Sequence, residues 1–153
     1  MTRINVVEPH MLTNKHAMAE YKEITRPFNK AMKHAIAGKL PTDIKIPNSY
    51  CMGTGHESFF FDKLLYIQLR HQQLFNHLLA LGYDVERTKC DAIQKEMNIA
   101  RHSYPAWFNM WHSEQQDRYL NMARLIIRSE YTTDKVEVVR AITEAEINFK
   151  DYL

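Results

Sequence analysis

The sequence TGHESFFFDKLLYIQLRHQQLFNHLLALG, residues 54–82, has the clearest periodicity in the chain and decides its fold class. Its apolar residues recur at steps of three and four, which is the spacing of one face of an α-helix. Thr54 and Glu57 have the spacing of a capping box, and Gly82 is a residue type that commonly follows a helix. We therefore predict a long amphipathic helix in this stretch. Its apolar stripe consists of Phe60, Leu64, Ile67, Leu74, Leu78 and Leu81.

Four other segments show helical patterns, and together they favour a single all-α domain spanning residues 1–153. Gly38 lies at a favoured C′ position after the first of these helices. Residues 39–53 contain Pro41 and Pro47 and predict an ordered loop. The predicted helices cover about residues 13–37, 91–101, 113–128 and 134–149.

Composition and charge describe a globular protein without a strong bulk charge. Of the 153 residues 45% are hydrophobic and 25% charged, and the net charge is only +2. Any nucleic-acid site therefore has to arise from local clustering of cations. The N-terminal region is polar, and no apolar run is long enough to span a membrane. We therefore expect no membrane partner. Cys51 and Cys90 have no metal-ligand spacing, and from this use of cysteine we expect a cytoplasmic location.

The eight histidines do not form a metal-binding motif. No HExxH sequence occurs, and no close pair of histidines has a carboxylate at ligand spacing. We therefore expect neither a metal nor another cofactor. His71 falls on the apolar stripe of the 54–82 helix, where we expect local partners to satisfy its ring.

A row of cations lies on the first predicted helix, at Lys22, Arg26, Lys30 and Lys33. Steps of three and four residues place these side chains on one face. Such a row suits the phosphate backbone of DNA, which positions a protein without specifying sequence. A solvated helix face has the same pattern, so both interpretations stay open on the residues alone.

Glu23 lies beside this row and four residues before Pro27. Proline has no N–H, and its ring clashes with the carbonyl four residues earlier, which is that of Glu23. We therefore predict a kink in the first helix at Glu23. A carboxylate at a kink among cations is a candidate site, although an exposed helical glutamate usually has no such role.

The second residue, Thr2, is small enough that we expect the initiator Met1 to be removed. The α-amine of Thr2 then becomes the N-terminus, with a pKa of roughly 7.7–8.0 against about 10.4 for lysine. A sizeable fraction is therefore an unprotonated nucleophile near neutral pH. This chemistry matters only if the fold carries the amine to an electrophile.

Residues 53–64 carry the pattern Gly53-x-Gly-His-x-x-Phe-Phe-x-Asp-Lys-Leu64, and Thr2 and Glu23 accompany it. With these residues at the family's relative spacing, the sequence from Met1 to about Val85 resembles the endonuclease V family of the T-even bacteriophages. Other matching positions are Arg3-Ile4-Asn5, His16, Met18-Ala19-Glu20-Tyr21-Lys22, Arg26, Phe28, Lys33-His34, Gly38-Lys39, Lys45-Ile46 and Gly82.

The resemblance implies an all-α pyrimidine-dimer DNA glycosylase with an associated lyase activity at abasic sites. It assigns Thr2 as the nucleophile at C1′ of the damaged nucleotide, through a Schiff base, and Glu23 as the group that stabilises positive charge and assists proton transfer. It places four residues near DNA, namely Arg3, His16, Lys22 and Arg26, with Lys22 replacing the family's arginine. No cofactor is implied, the partner is damaged double-stranded DNA, and we expect a monomer.

The resemblance weakens after residue 85 and returns in part at residues 113–128. There Arg124 and Arg128 correspond to basic residues that grip DNA, and with Asp117 and Asn121 they are predicted to share one helix face. The family's C-terminal aromatic run is absent. Trp107 and Trp111 are candidates to replace it by stacking on a distorted base step, and a role in the core is the competing interpretation.

Residues 131–153, including the predicted 134–149 helix, are not covered by the resemblance. Three alternatives to dimer excision remain open from sequence. The protein could act on another damaged or modified base, it could bind DNA on the same fold without chemistry, or it could be an interaction module that presents the 134–149 helix to a partner.

Overall fold

The computed structural model describes the backbone of residues 3–129 and the side chains of residues 3–125. This part of the chain is helical and contains no β-strand, so the predicted all-α class is confirmed. The predicted 134–149 helix lies outside the described residues. The α-helices are α1 (Asn14–Glu23), α2 (Thr25–Ile36), α3 (Leu64–Ala80), α4 (Arg87–Ser103) and α5 (Gln115–Ser129).

The first predicted helix is two helices. Helix α1 ends at Glu23, and α2 begins at Thr25. The break is where the proline was expected to act, because Pro27 cannot donate to the Glu23 carbonyl. The predicted kink at Glu23 is confirmed, whereas a continuous helix over residues 13–37 is wrong. At the start of α1, the side chain of Thr13 accepts the N–H of His16 at 3.1 Å and caps the helix.

The predicted capping box before α3 does not form. The helix begins at Leu64, ten residues later than Thr54, and a short 3-10 helix at Ser58–Phe60 precedes it. Gly55 has a φ of 93°, a left-handed conformation that ends regular helix and favours glycine. A Cβ there would approach the Cγ of Pro47 to 3.0 Å. The Gly-His segment is therefore a tight turn packed on the preceding loop.

Helices α4 and α5 also start away from their predicted residues. Helix α4 begins at Arg87 and not at Asp91, which is exposed within it. Helix α5 begins at Gln115, and the carboxylate of Asp117 accepts the N–H of Glu114 at 2.9 Å. The acidic group in the first turn thus caps the N-terminal end of α5.

Helix α3 forms the centre of the core, with α1, α2 and α4 packed around it. Its predicted stripe is buried except at its end, since Leu81 is 48% exposed. Each fully buried Leu, Ile or Phe side chain contributes roughly 1.5–3 kcal/mol through removal from water. The buried members of the stripe are Phe60, Leu64, Ile67, Leu74 and Leu78.

His71 on α3 is a buried core histidine, as expected. Its ring stacks on Tyr21 with centroids 5.3 Å apart, and the amide of Gln94 donates to its Nδ1 at 2.9 Å. Burial lowers the pKa of His71 to about 4. The neutral imidazole is therefore part of the packed core.

Stability should fall as pH falls from about 6.5 to about 4, in part because of His71. In this window the unfolded chain protonates the histidine while the folded protein does not, so the unfolded state binds more protons. One such group changes the free energy of unfolding by up to about 1.4 kcal/mol per pH unit. We expect His71→Asn, which keeps an acceptor near Nδ1, to give a shallower pH dependence in urea unfolding.

The matched control is His102→Asn, at an exposed position on α4. It should leave the pH dependence of the free energy of unfolding as in the wild type. Equal slopes for wild type and His71→Asn would contradict the assignment of His71 as a neutral core residue.

Candidate active site and DNA interface

The N-terminal segment, residues 4–7, is buried inside the protein and hydrogen-bonded along its length. The N–H of Ile4 donates to Nε2 of His56 at 2.8 Å. The N–H of Val6 donates to the side-chain carbonyl of Asn121 at 2.8 Å. The carbonyl of Val7 accepts from Nη1 of Arg70 at 2.5 Å. These bonds come from three different parts of the chain and fix the segment in place.

A buried ion pair lies beneath this segment. Arg70 donates through Nε and Nη2 to the two carboxylate oxygens of Glu20, at 2.9 and 3.0 Å. Burial alone would lower the pKa of Arg70, but the Glu20 carboxylate outweighs it and the pKa is raised, so the guanidinium stays charged. Asn5 adds a third donor to Glu20, through Nδ2 at 2.8 Å. The N-terminal segment is thus bonded directly to α1.

Glu23 lies one turn of α1 beyond Glu20, a rise of about 4.5 Å along the axis. Its side chain is 29% exposed, and its carboxylate is 3.9 Å from Nη1 of Arg26. Glu23 is the last residue of α1, directly before the break between α1 and α2. Glu23 therefore combines access to solvent with a position close to the segment that carries Asn5.

His56 holds the other side of the N-terminal segment in a single tautomer. Nε2 accepts from Ile4, so the ring proton is on Nδ1, which donates to the carbonyl of Cys51 at 2.8 Å. Burial lowers the pKa of His56, the bond to Cys51 opposes this shift, and the charge of Arg3 lowers the pKa further. Arg3 directly precedes Ile4, whose N–H bonds to His56, so the backbone of Arg3 lies near this ring.

The four cations of the predicted row are all exposed. The break after Glu23 divides them, so Lys22 is on α1 and the others are on α2. Lys30 pairs with Glu57 at 3.0 Å, which ties α2 to the His56 turn.

An open cleft of about 610 Å³ lies against Glu23. Among the residues that the structure describes, Tyr83 is the one lining residue outside α1, and its side chain is partly exposed. This tyrosine was not predicted as a site residue, and its one signal in the sequence is its place directly after the helix-ending Gly82. The cleft gives Glu23 space for a ligand. It is lined by Asn14, Lys15, Met18, Ala19, Lys22, Glu23 and Tyr83.

His16 lies at the other end of α1 from Glu23. Its Nδ1 is 2.8 Å from the hydroxyl of Thr13, within the cap of the helix. Seven residues separate it from Glu23, a distance of about 10 Å along a helix axis. The structure brings Arg3 near His56 and brings Lys22 and Arg26 near Glu23, but it places His16 apart from them.

Trp107 is buried in the core, and Trp111 is partly buried and packs against it. Trp107 is 1% exposed and stacks on His34, with ring centroids 6.3 Å apart. Trp111 packs edge-on against Tyr66 and Phe59 at 5.2 and 5.3 Å. Stacking on a base needs an open ring face. The predicted base-stacking role does not fit buried Trp107, and the competing interpretation, a place in the core, describes both residues.

The predicted shared face on α5 needs correction. Asn121 is completely buried, whereas Arg124, three residues later, is exposed. Because Asn121 bonds to Val6, α5 packs directly against the N-terminal segment, and Arg124 lies one turn from that contact. Thr2 and the side chain of Arg128 lie outside the described part of the chain.

Between residues 3 and 125 no three or more His, Cys, Asp or Glu side chains are grouped so that they could hold a metal ion. None of the helices in the described part is long and apolar enough to cross a bilayer.

The family model for pyrimidine dimer DNA glycosylases matches residues 1–91, more than half of the 153 residues. The chain therefore belongs to the pyrimidine dimer DNA glycosylase family, as the resemblance predicted. It is a DNA repair glycosylase that acts on damaged DNA. Asn121 and Arg124 lie beyond the matched residues.

Proposed function

We propose that this glycosylase excises pyrimidine dimers and cleaves the resulting abasic site, with the α-amine of Thr2 as nucleophile and Glu23 as its acid–base partner. The observation that carries this proposal is the hydrogen bond from Asn5 to Glu20. It fixes Asn5, which is three residues after Thr2, to Glu20, which is one turn of helix before Glu23.

Covalent geometry limits how far the amine can be from this contact. Consecutive Cα atoms are about 3.8 Å apart, so the Cα of Thr2 is within roughly 7 Å of that of Ile4. Ile4 is itself held by His56, and the hydroxyl of Tyr50 donates to its carbonyl at 3.2 Å. Because Ile4 is fixed, covalent geometry limits how far an amine at Thr2 can move from it.

The chemistry follows from an amine and a carboxylate. The amine attacks C1′, the glycosidic bond breaks, and its electron pair leaves with the base. Loss of a proton from the nitrogen and opening of the sugar give a Schiff base. Removal of a proton from C2′ then expels the 3′ phosphate by β-elimination. Glu23 offers negative charge to the cationic sugar and an acceptor for these protons.

The exposed cations supply the grip on DNA. Lys22 and Arg26 flank Glu23, and Arg124 on α5 lies one turn from the contact with the N-terminal segment. Phosphate contacts from these side chains hold a duplex across the site without specifying its sequence. Lys22 does so as a point charge, because lysine lacks the bidentate fork of arginine.

The nucleophile can be tested by blocking the α-amine. Acetylation of Thr2, or an added residue before it, should abolish borohydride trapping on abasic duplex DNA, because no free amine remains at the required position. Lys22→Gln, measured at saturating DNA, is the control for a competing side-chain amine and should still be trapped. Undiminished trapping after the block would remove Thr2 from the mechanism. Absence of trapping in the wild-type protein would instead favour a protein that binds DNA without this chemistry.

Glu23→Gln keeps the size of the side chain and removes its charge. We expect strand cleavage to fall by on the order of a hundredfold or more, since charge stabilisation in the transition state is lost. Binding to dimer-containing duplex should remain close to wild type. The control is Glu96→Gln, an exposed glutamate on α4. Near-normal turnover by Glu23→Gln would assign the role to another carboxylate.

DNA affinity should depend steeply on salt, and Arg124 should account for part of that dependence. Each phosphate contact contributes roughly −0.9 to the slope of log K against log salt concentration. Arg124→Ala should therefore flatten the slope by about one unit for damaged and undamaged duplexes alike. Lys95→Ala on α4, also exposed, is the control with an unchanged slope. An unchanged slope for Arg124→Ala would mean that α5 does not contact the backbone.

A further inference from the structure

Both the oxygen and the nitrogen of the Asn121 side-chain amide form hydrogen bonds with the N-terminal segment. Its Oδ1 accepts the N–H of Val6 at 2.8 Å, and its Nδ2 donates to Oδ1 of Asn5 at 2.7 Å. The residue is 0% exposed. It lies on α5, outside the residues 1–91 that match the family. A buried side chain in this position cannot touch DNA, so its effect has to pass through the segment it holds.

The orientation of Asn5 depends on this contact. An amide has one carbonyl and one NH2 group, and Asn121 takes the carbonyl of Asn5 by donating to it. The NH2 group of Asn5 is thereby directed at the carboxylate of Glu20 at 2.8 Å. Arg70 fixes the same carboxylate from the other side. A continuous line of hydrogen bonds thus joins α5, the N-terminal segment, α1 and α3.

Loss of Asn121 would leave the N–H of Val6 buried without its acceptor and would free the amide of Asn5 to rotate. The chain before Asn5 would then be tied to α1 less firmly. Displacement of a reacting group by about 1 Å can lower a rate by roughly a hundredfold, because reaction needs close approach and alignment.

We propose that Asn121 is a positioning residue for the N-terminal nucleophile, acting through Asn5 and Val6. The inference rests on the proposed function, in which the α-amine of Thr2 attacks the sugar. It assigns to α5 a role besides DNA contact: the helix beyond the family match completes the anchor of the nucleophile.

Two substitutions distinguish the hydrogen bond that the Asn121 amide accepts from the one that it donates. Asn121→Asp keeps an acceptor for the N–H of Val6 but places an oxygen against Oδ1 of Asn5. Asn121→Leu keeps a similar volume and removes both bonds. The matched control is Met122→Ala, because this neighbour on α5 is equally buried and contributes packing alone.

The experiment measures single-turnover borohydride trapping on an abasic duplex, with protein in excess, at a temperature at which circular dichroism shows every variant folded. Asn121→Leu should be trapped roughly 10- to 100-fold more slowly, with a Kd for the duplex close to wild type. The trapping rate of Asn121→Asp should fall between the rates of wild type and Asn121→Leu. Met122→Ala should be trapped at the wild-type rate. A slower trapping rate at an unchanged Kd is not what a general loss of stability would produce.

Hydrogen exchange at the Val6 amide gives a readout independent of chemistry. Exchange should accelerate in Asn121→Leu relative to the other core amides and stay unchanged relative to them in Met122→Ala. If Asn121→Leu fails to fold, Asn121→Asp carries the same comparison of trapping rate with Kd.

Wild-type trapping by both Asn121 variants would overturn the inference while leaving the proposed nucleophile intact. An equal loss of rate in Met122→Ala would also overturn it, because the effect would then be one of stability. Absence of trapping in the wild-type protein would instead show that the proposed function itself is wrong.

Discussion

The buried ion pair between Glu20 and Arg70 constrains the N-terminal segment, because neither charge is satisfied by the other alone. Arg70 needs the carbonyl of Val7 for Nη1, and Glu20 accepts from Asn5 in addition to Arg70. Removing one partner of a buried pair typically costs about 3–5 kcal/mol, since an uncompensated charge remains. The segment therefore belongs to the interior before any DNA is bound, and this is the physical basis for placing an N-terminal amine beside α1.

Much of the fold was predictable because its signals are local. The 3.6-residue periodicity of α3 marks the central helix, and Pro27 alone predicts the break that exposes Glu23. Errors arose where a backbone conformation overrode a side-chain pattern. Thr54 and Glu57 have the spacing of a capping box, yet Gly55 turns in the left-handed region, and the helix starts only at Leu64.

The site was predictable in part, and its missing members share one property. Glu23 and the cations around it could be selected from spacing and resemblance, whereas Asn121 was expected on an exposed face. Its contact with Val6 joins residues 115 apart in sequence, and no periodicity reports such a pairing. From sequence alone, a buried polar residue is predicted to lie at the surface. Burial of a polar group is favourable only when it has hydrogen-bond partners, and partners distant in sequence are not visible in the pattern. For Trp107 the sequence left both stacking on a base and a place in the core open, because an aromatic residue alone does not show whether its ring faces inward.

A crystal structure of the wild-type protein, trapped by borohydride on an abasic duplex, tests most directly the claim that the buried network delivers the N-terminal amine to the sugar. The account predicts a covalent bond between the nitrogen of Thr2 and C1′, the Glu23 carboxylate beside the opened sugar, and the hydrogen bond from Asn5 to Glu20 still in place. A bond from the sugar to a lysine side chain such as Lys22 would contradict the account. So would a linked Thr2 whose segment had left the Glu20–Arg70 pair.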